Sequence, residues 1–424
     1  MSDDQGTVST TGGTAPAERY PNEGESHSER LLSGYTGRLL LTVSLGWTAI
    51  QAGRLVLSPM LPTVMESLRI TEVQAGFALT LLWGLYALGQ YPSGRLSDGL
   101  TRKTLLAAGL TPLVVGFVTL ASAPTYSVFL LGAALVGTGA GLYPTPARAL
   151  ISDLFVAKRG KAFGLHTSSG DTGGAVAAAL AVTVLAVAMW RAAFAPVIVV
   201  LAVVFVLLHR WSREAYTPPS FSRATVAAAA RDIGATARRL GDRKTTAILV
   251  AYSLFAFVWQ SSAGFLPTFL QESKGFSAGL ASAGFAAMFV VGALVKPISG
   301  SLGDRISRPI VAAGSLIVAT AALAGLLAAS RTLVVASCVV IFAVGLMAYP
   351  PVMQAYLMDV FPDGSMGGDL GATRTVYIGL GSLGPTYVGF VAGRSGYETA
   401  FAGLLACLLV SATIVFLLAR MGRK

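Results

Sequence analysis

Charge is scarce in this chain. Only 12% of its 424 residues are Asp, Glu, Lys or Arg, where soluble domains carry about a quarter. With 54% hydrophobic residues and a mean hydropathy of +0.67, that shortage excludes an ordinary water-soluble domain. Cysteine is nearly absent. Cys338 and Cys407 both fall in apolar stretches, so they read as buried apolar residues rather than a disulfide or a metal pair. No nucleophile–base pair and no metal-ligand cluster is visible, so no enzyme is expected and no cofactor is implied. The net charge is +11, but no compact basic domain exists to bind nucleic acid. The first 30 residues have no apolar core. They read as part of a disordered cytosolic tail (1–37), not as a cleavable signal.

What is present is a series of long apolar runs. Each is long enough to cross a bilayer, about 20 residues. Their approximate limits are 38–61, 75–97, 104–123, 126–148, 162–188, 191–209, 246–270, 278–300, 309–329, 332–357, 370–392 and 397–419. In lipid each span must satisfy its own backbone hydrogen bonds, so these runs predict helices. The expected fold is an all-α polytopic membrane protein with twelve transmembrane helices. The 48 glycines suit close helix–helix approach. With the N-terminus inside, the inner loops and C-tail hold 19 lysines and arginines and the outer loops five. That bias puts both termini in the cytoplasm. The expected organisation is a six-helix half over 38–209, a cytoplasmic linker over 210–245, a second half over 246–420 and a short C-tail over 421–424. The Ala- and Arg-rich linker fits either a surface helix on the anionic leaflet or a solvated connection.

The two halves repeat. Ser93–Arg102 reads SGRLSDGLTR and Ser299–Arg308 reads SGSLGDRISR, a shift of 206 residues. Tyr143-Pro144 and Asp153 return as Tyr349-Pro350 and Asp359 at the same shift, and the LPT at Leu61 returns at Leu266, 205 later. Parallel repeats of this kind place a substrate site at the interface between halves.

Polar residues within spans mark the lining of that interface, because a cation in the membrane interior costs several kcal/mol or more. Trp47, Gln51, Arg54 and Ser58 recur on one helical face of span one. Trp83, Tyr86 and Gln90 form a similar stripe on span two, and Trp259, Gln260, Ser261 and Ser262 cluster on span seven. Arg54 is the expected anion contact, a fork that matches carboxylate or phosphate. Lys296, whose repeat mate is Gln90, is a second candidate cation. Asp171, in the stretch SSGDTGG, is the expected proton-coupling group. It could also be a structural residue at a kink among glycines. Arg374 reads as an inner-surface anchor and His166 as a residue near a cytoplasmic helix end.

The segment Gly94–Lys103 resembles the loop motif between spans two and three of the major facilitator superfamily, matching at Gly94, Leu96, Ser97, Asp98, Arg102 and Lys103. A second copy begins at Gly300 and keeps Leu302, Asp304 and Arg305. The resemblance implies two pseudo-symmetric six-helix halves that alternate access, with Asp98, Arg102, Asp304 and Arg308 as conformational switch residues. Arg54 stands eight residues before Pro62, a pattern similar to span one of the anion:cation symporters and the organophosphate:phosphate antiporters. There, an Arg so placed contacts the anionic substrate. The chain departs from both groups: Gly139 replaces the symporters' acidic residue on span four, and Trp259 stands where the antiporters have a second Arg. The expectation is therefore a small monoanion such as a carboxylate, carried with protons through the lipid bilayer of the cell membrane by a monomer. Alternatives are an exporter of hydrophobic or cationic compounds and a non-transporting sensor. The first predicts a net negative cavity, whereas the stripes here are net positive.

Overall fold

A computed structural model describes residues 30–187, 189–217, 241–360 and 366–421; the side chains of residues 95, 98, 360 and 366–370 lie outside that description. The first crossing consists of α1 (Gly34–Leu55) and α2 (Leu57–Leu68), bent by 41° at Val56. Pro59 accounts for the bend. It has no N–H, and its ring crowds the carbonyl of Leu55, four residues earlier. The second crossing, α3 (Glu72–Gly99), starts from a capping box in which Thr71 and Gln74 bond to each other's backbone N–H.

Then come α4 (Arg102–Ala121), α5 (Tyr126–Leu142) and α6 (Pro144–Leu154), which break one crossing at Tyr143, and α7 (Arg159–Val187). A short turn at Trp190–Ala193 leads into α8 (Phe194–Trp211). The second half holds α9 (Arg243–Glu272), α10 (Ala278–Arg305), α11 (Arg308–Ala328), α12 (Thr332–Val360), α13 (Met366–Gly381) and α14 (Leu383–Met421).

Among the described residues, nine helical segments are individually long and apolar enough to cross a membrane, and α1 with α2 makes a tenth. Two further observations bring the crossings to twelve. The last segment, Gly371–Met421, has 51 residues. At 1.5 Å per residue that is about 75 Å of helix, against a hydrocarbon core of about 30 Å. It turns back at Gly396, whose φ of 83° and ψ of 161° lie outside the helical region. Only glycine adopts that conformation without strain. The twelfth crossing is α3, whose 28 residues include the polar stripe through Gln90.

The sequence repeat is visible as matched ion pairs. Arg102 on α4 lies 3.1 Å from Asp153 on α6. Their repeat mates Arg308 and Asp359 also pair, and Arg308 is 2.9 Å from Asp304. Arg102 also donates to the hydroxyl and carbonyl of Ser97. The Asp98 side chain lies outside the described residues. All the described contacts of these clusters are within one half, so each ties a half together internally.

Two expectations need adjusting. Helix α1 begins at Gly34, inside the stretch assigned to the tail. The linker is shorter than read, because α8 runs to Trp211 and α9 starts at Arg243. Its possible surface helix falls on 218–240, outside the described residues. The described part, 212–217, packs on the start of α4: Lys103 donates to the carbonyls of His209 (2.9 Å) and Ser212 (3.1 Å), and Thr101 to that of Ala215 (2.8 Å). This end of the bundle, which also carries the α3–α4 turn, is called the motif end below.

At the opposite, far end the halves close on each other. Ser58 donates to the carbonyl of Gly264 at 2.9 Å, and Thr80 to that of Ser382 at 2.6 Å. Helices α3 and α14 approach so tightly that a Cβ at Gly389 would lie 2.1 Å from the Glu72 carbonyl oxygen.

Candidate functional site

Arg54 sits in the last turn of α1, just before the bend, and is 4% exposed. Its guanidinium stands 4.3 Å from the ring centre of Trp83 and 4.4 Å from that of Tyr86, with Trp47 at 5.9 Å. One nitrogen donates to the side-chain oxygen of Gln51, while Nε and Nη1 have no hydrogen-bond partner. Trp83 meets Trp259 of α9 edge-on at 5.4 Å, so the aromatic cage reaches across to the second half. The span-one and span-two stripes thus converge on one cation. Such a cation attracts π faces, but they leave donors unused, which is costly when buried.

Asp171 is 9% exposed and accepts from the Lys296 ammonium at 2.5 Å. This pair joins α7 to α10 across the halves. The glycines around Asp171 account for its position. A Cβ at Gly173 would lie 2.5 Å from the Thr48 carbonyl oxygen on α1, and one at Gly174 would lie 2.3 Å from the Phe289 ring on α10. Helix α7 therefore wedges between α1 and α10 and carries Asp171 alongside the Arg54 stripe. It is one continuous helix from Arg159 to Val187. Lys296 is held by a carboxylate rather than extended to a membrane surface.

Other predicted residues are turned to structural partners. Gln90 donates to the Gly141 and Tyr86 carbonyls at 3.3 and 3.4 Å. Gln260 donates to the Ile378 carbonyl at 2.9 Å, leaving its oxygen without a partner; the Ser261 and Ser262 hydroxyls are also buried without one. His166 is not at a helix end. It is 2% exposed, two turns into α7, with Nδ1 3.4 Å from the Ser44 hydroxyl and its ring 6.3 Å from Trp47.

Two arginines join the site unexpectedly. Arg374 lies eight residues into α13, which begins at Met366. It is half-buried, two turns from the start of that helix rather than one. Its electrostatic neighbours are Tyr377, Tyr86 and Tyr252, and its Nε has no partner. Arg148, on α6, is half-buried and has Arg374, Tyr86 and Tyr377 among its electrostatic neighbours. Its only sequence signal is the break at Tyr143-Pro144, which starts a new helix and changes the direction in which the following residues project. Tyr252 and Tyr377 stack at 3.9 Å and Tyr349 packs edge-on to Tyr252 at 5.4 Å, forming a wall beside Arg374. Among the described residues, the ion pairs include none of Arg54, Arg148 and Arg374.

The family model described as Major Facilitator Superfamily matches residues 43–385. The chain belongs to that superfamily. It is a multi-pass membrane transporter of the major facilitator fold, not an enzyme. Among superfamily relatives, the probable sulfoacetate transporter SauU of Cupriavidus necator is 26% identical over 275 residues, 60% of this chain and 62% of that protein. The match thus spans about three-fifths of that relative's length. The uncharacterized MFS-type transporter YfnC of Bacillus subtilis is 23% identical over 380 residues, 86% of this chain and 88% of the relative. A bacterial homologue of the human lysosomal transporter Spinster, solved inward-facing and unoccupied, superposes with a TM-score of 0.76 at 17% identity, covering 92% of this chain and 98% of that one.

Proposed function

We propose that this transporter is secondary active and moves a small organic anion across the cell membrane by alternating access, coupled to protons. The observation that carries the reading is Arg54, buried in an aromatic cage with Nε and Nη1 unpaired. A cation held there without a carboxylate is costly until an anion arrives. Gln51, Trp47, Tyr86 and Trp259 would shape the pocket around that anion. Gln260, whose free side-chain oxygen only accepts, would meet a hydroxyl or amide donor on the substrate rather than its acidic group, and Gln90 would support Tyr86 from behind.

Proton coupling is assigned to Asp171. When it is ionised, its pair with Lys296 ties the halves. When it is protonated, it frees Lys296 to add its field to the anion site. Far-end contacts are made and motif-end contacts would form in the alternate state, with Asp98, Arg102, Asp304 and Arg308 at that rim. The lysine and arginine bias puts the motif end and both termini in the cytoplasm. The name of the Cupriavidus relative, a transporter of an organic acid, agrees with an anionic substrate.

The test is uptake by the full-length protein in proteoliposomes, with and without an inward proton gradient. The panel covers carboxylates, sulfonates, phosphates, neutral solutes and organic cations. Accumulation of an organic anion that collapses when the pH gradient is dissipated is expected. Transport confined to neutral or cationic compounds would overturn the reading.

A further inference from the structure

We propose that Trp47 and Gly170 form the link through which anion binding at Arg54 and protonation of Asp171 act on each other. The inference rests on the function proposed above and assigns two positioning residues to it. Among the described residues, no ion pair joins Arg54 to Asp171. What lies between them is the contact of α1 with α7. The Trp47 indole rests on α7 where a side chain is missing. A Cβ at Gly170 would lie 2.5 Å from the indole Nε1 and 3.1 Å from Cδ1. Gly170 is the residue before Asp171.

Trp47 is the side of the cage that can yield. It is half-buried, whereas Trp83 is 6% and Tyr86 5% exposed. It is also the farthest ring from the guanidinium, at 5.9 Å against 4.3 and 4.4 Å. An anion that reaches the free Arg54 donors therefore makes its room at Trp47, which has the α7 backbone behind it. A closely packed interior transmits such a displacement rather than absorbing it. Beside Trp47 the two helices are tied: Thr48 donates to the Ser169 carbonyl at 2.9 Å and Ser169 to the Ser44 carbonyl at 3.1 Å. The displacement is thus passed to the other side of α7, where Gly174 meets Phe289 and Asp171 meets Lys296 of α10.

The pair there is 2.5 Å long, so a shift of about 1 Å takes it to the limit of hydrogen bonding. An anion at Arg54 loosens Asp171 from Lys296, and Asp171 takes up a proton. By linkage the proton raises anion affinity by the same factor. Of the charged groups on the elements packed against α7, Lys296 of α10 holds Asp171, Arg54 of α1 lies in the cage, and Arg148 of α6 is an electrostatic neighbour of His166 on α7 itself. Arg38, Glu66, Asp153, Asp304 and Arg305 lie near the ends of their helices, and Arg191 lies in the turn before α8.

The test is anion binding by purified full-length protein, measured by calorimetry at pH 6 and pH 8. The probes are acetate, lactate, methanesulfonate and sulfoacetate, none of which changes charge appreciably in that range. For at least one of them, wild-type affinity is expected to be tenfold or more higher at pH 6. Gly170→Ala presses a methyl group against the indole, so its ratio is expected to fall below threefold. Trp47→Phe alone leaves a gap over Gly170 and is expected to lower the ratio too. Combined with Gly170→Ala, Trp47→Phe removes the edge that the methyl meets, and the ratio is expected to return to at least fivefold. A purely structural glycine would lower the melting temperature and leave the ratio in place.

A wild-type ratio in Gly170→Ala overturns the link, and so does a loss that Trp47→Phe does not restore. If Gly170→Ala fails to fold, Trp47→Phe alone decides, and an unchanged ratio overturns the link. A ratio near one in the wild type, or the full ratio persisting in Asp171→Asn, overturns the coupling reading itself. Failure of all four probes to bind overturns the anion reading and the link with it.

Discussion

Lys296 on α10 and Asp171 on α7 form an ion pair of 2.5 Å that bridges the two halves of the transporter. Removing one partner of a buried pair costs about 3–5 kcal/mol, because the other charge stays buried alone. Asp171→Asn is therefore expected to keep exchange of anion across the membrane and to lose accumulation driven by a pH gradient. The double variant Asp171→Asn/Lys296→Gln is expected to recover thermal stability but not coupling. Unchanged gradient-driven accumulation in Asp171→Asn would reject Asp171 as the coupling group.

Arg54→Ala is expected to abolish uptake without loss of expression. Charge-assisted hydrogen bonds contribute about 1.5–3 kcal/mol each, so losing a two-bond clamp lowers anion affinity on the order of 10²–10⁴-fold. Arg54→Lys is expected to recover only part of this, since a point charge does not present the fork. Equilibrium binding measures both, and wild-type affinity in Arg54→Ala removes the residue from the site.

Gly389→Val tests closure of the far end. A Cβ there would lie 2.1 Å from the Glu72 carbonyl oxygen, so α3 and α14 must separate. With Cys338 and Cys407 replaced by serine, a single cysteine introduced at Leu61, which is 1% exposed, reports access. Labelling by an impermeant maleimide is expected to accelerate at least tenfold in the Gly389→Val background. Equal labelling rates would show that this contact does not seal the far end.

Arg102→Ala removes a pair whose Asp153 is 55% exposed. Exposed pairs contribute only about 0–1 kcal/mol. The melting temperature is expected to fall by no more than a few degrees while transport slows. A large drop in melting temperature with normal transport of the remaining folded protein would make the cluster purely structural.

The first-half stripes were legible because a helix repeats its face every three to four residues. Trp47, Gln51 and Arg54 do meet, and Trp83 and Tyr86 close over them. Asp171 was legible as a carboxylate in an apolar run, but its partner was only one of two named cations. Arg148 was hidden because it looks like the end of a span. The break at Tyr143 shows only as a proline, and nothing local indicates that α6 then aims its residues inward. The helix carrying Arg374 starts at Met366, about one turn before the expected 370, which puts that arginine two turns from the helix start.

The sequence by itself determined that this chain crosses the membrane twelve times in two related halves. Backbone hydrogen bonding in lipid makes each apolar run a helix, and the 206-residue shift makes the halves equivalent. It also placed a permanent cation, Arg54, within the first apolar run; that the side chain is buried there is a finding of the structure. Only the tertiary structure decided the company that cation keeps. Contacts between α1, α3, α6, α7, α10 and α13 depend on bends at prolines and close approaches at glycines, which set how each helix is rotated and where it stops. Those rotations, not any local pattern, bring Trp259 to the cage around Arg54 and join Lys296 to Asp171.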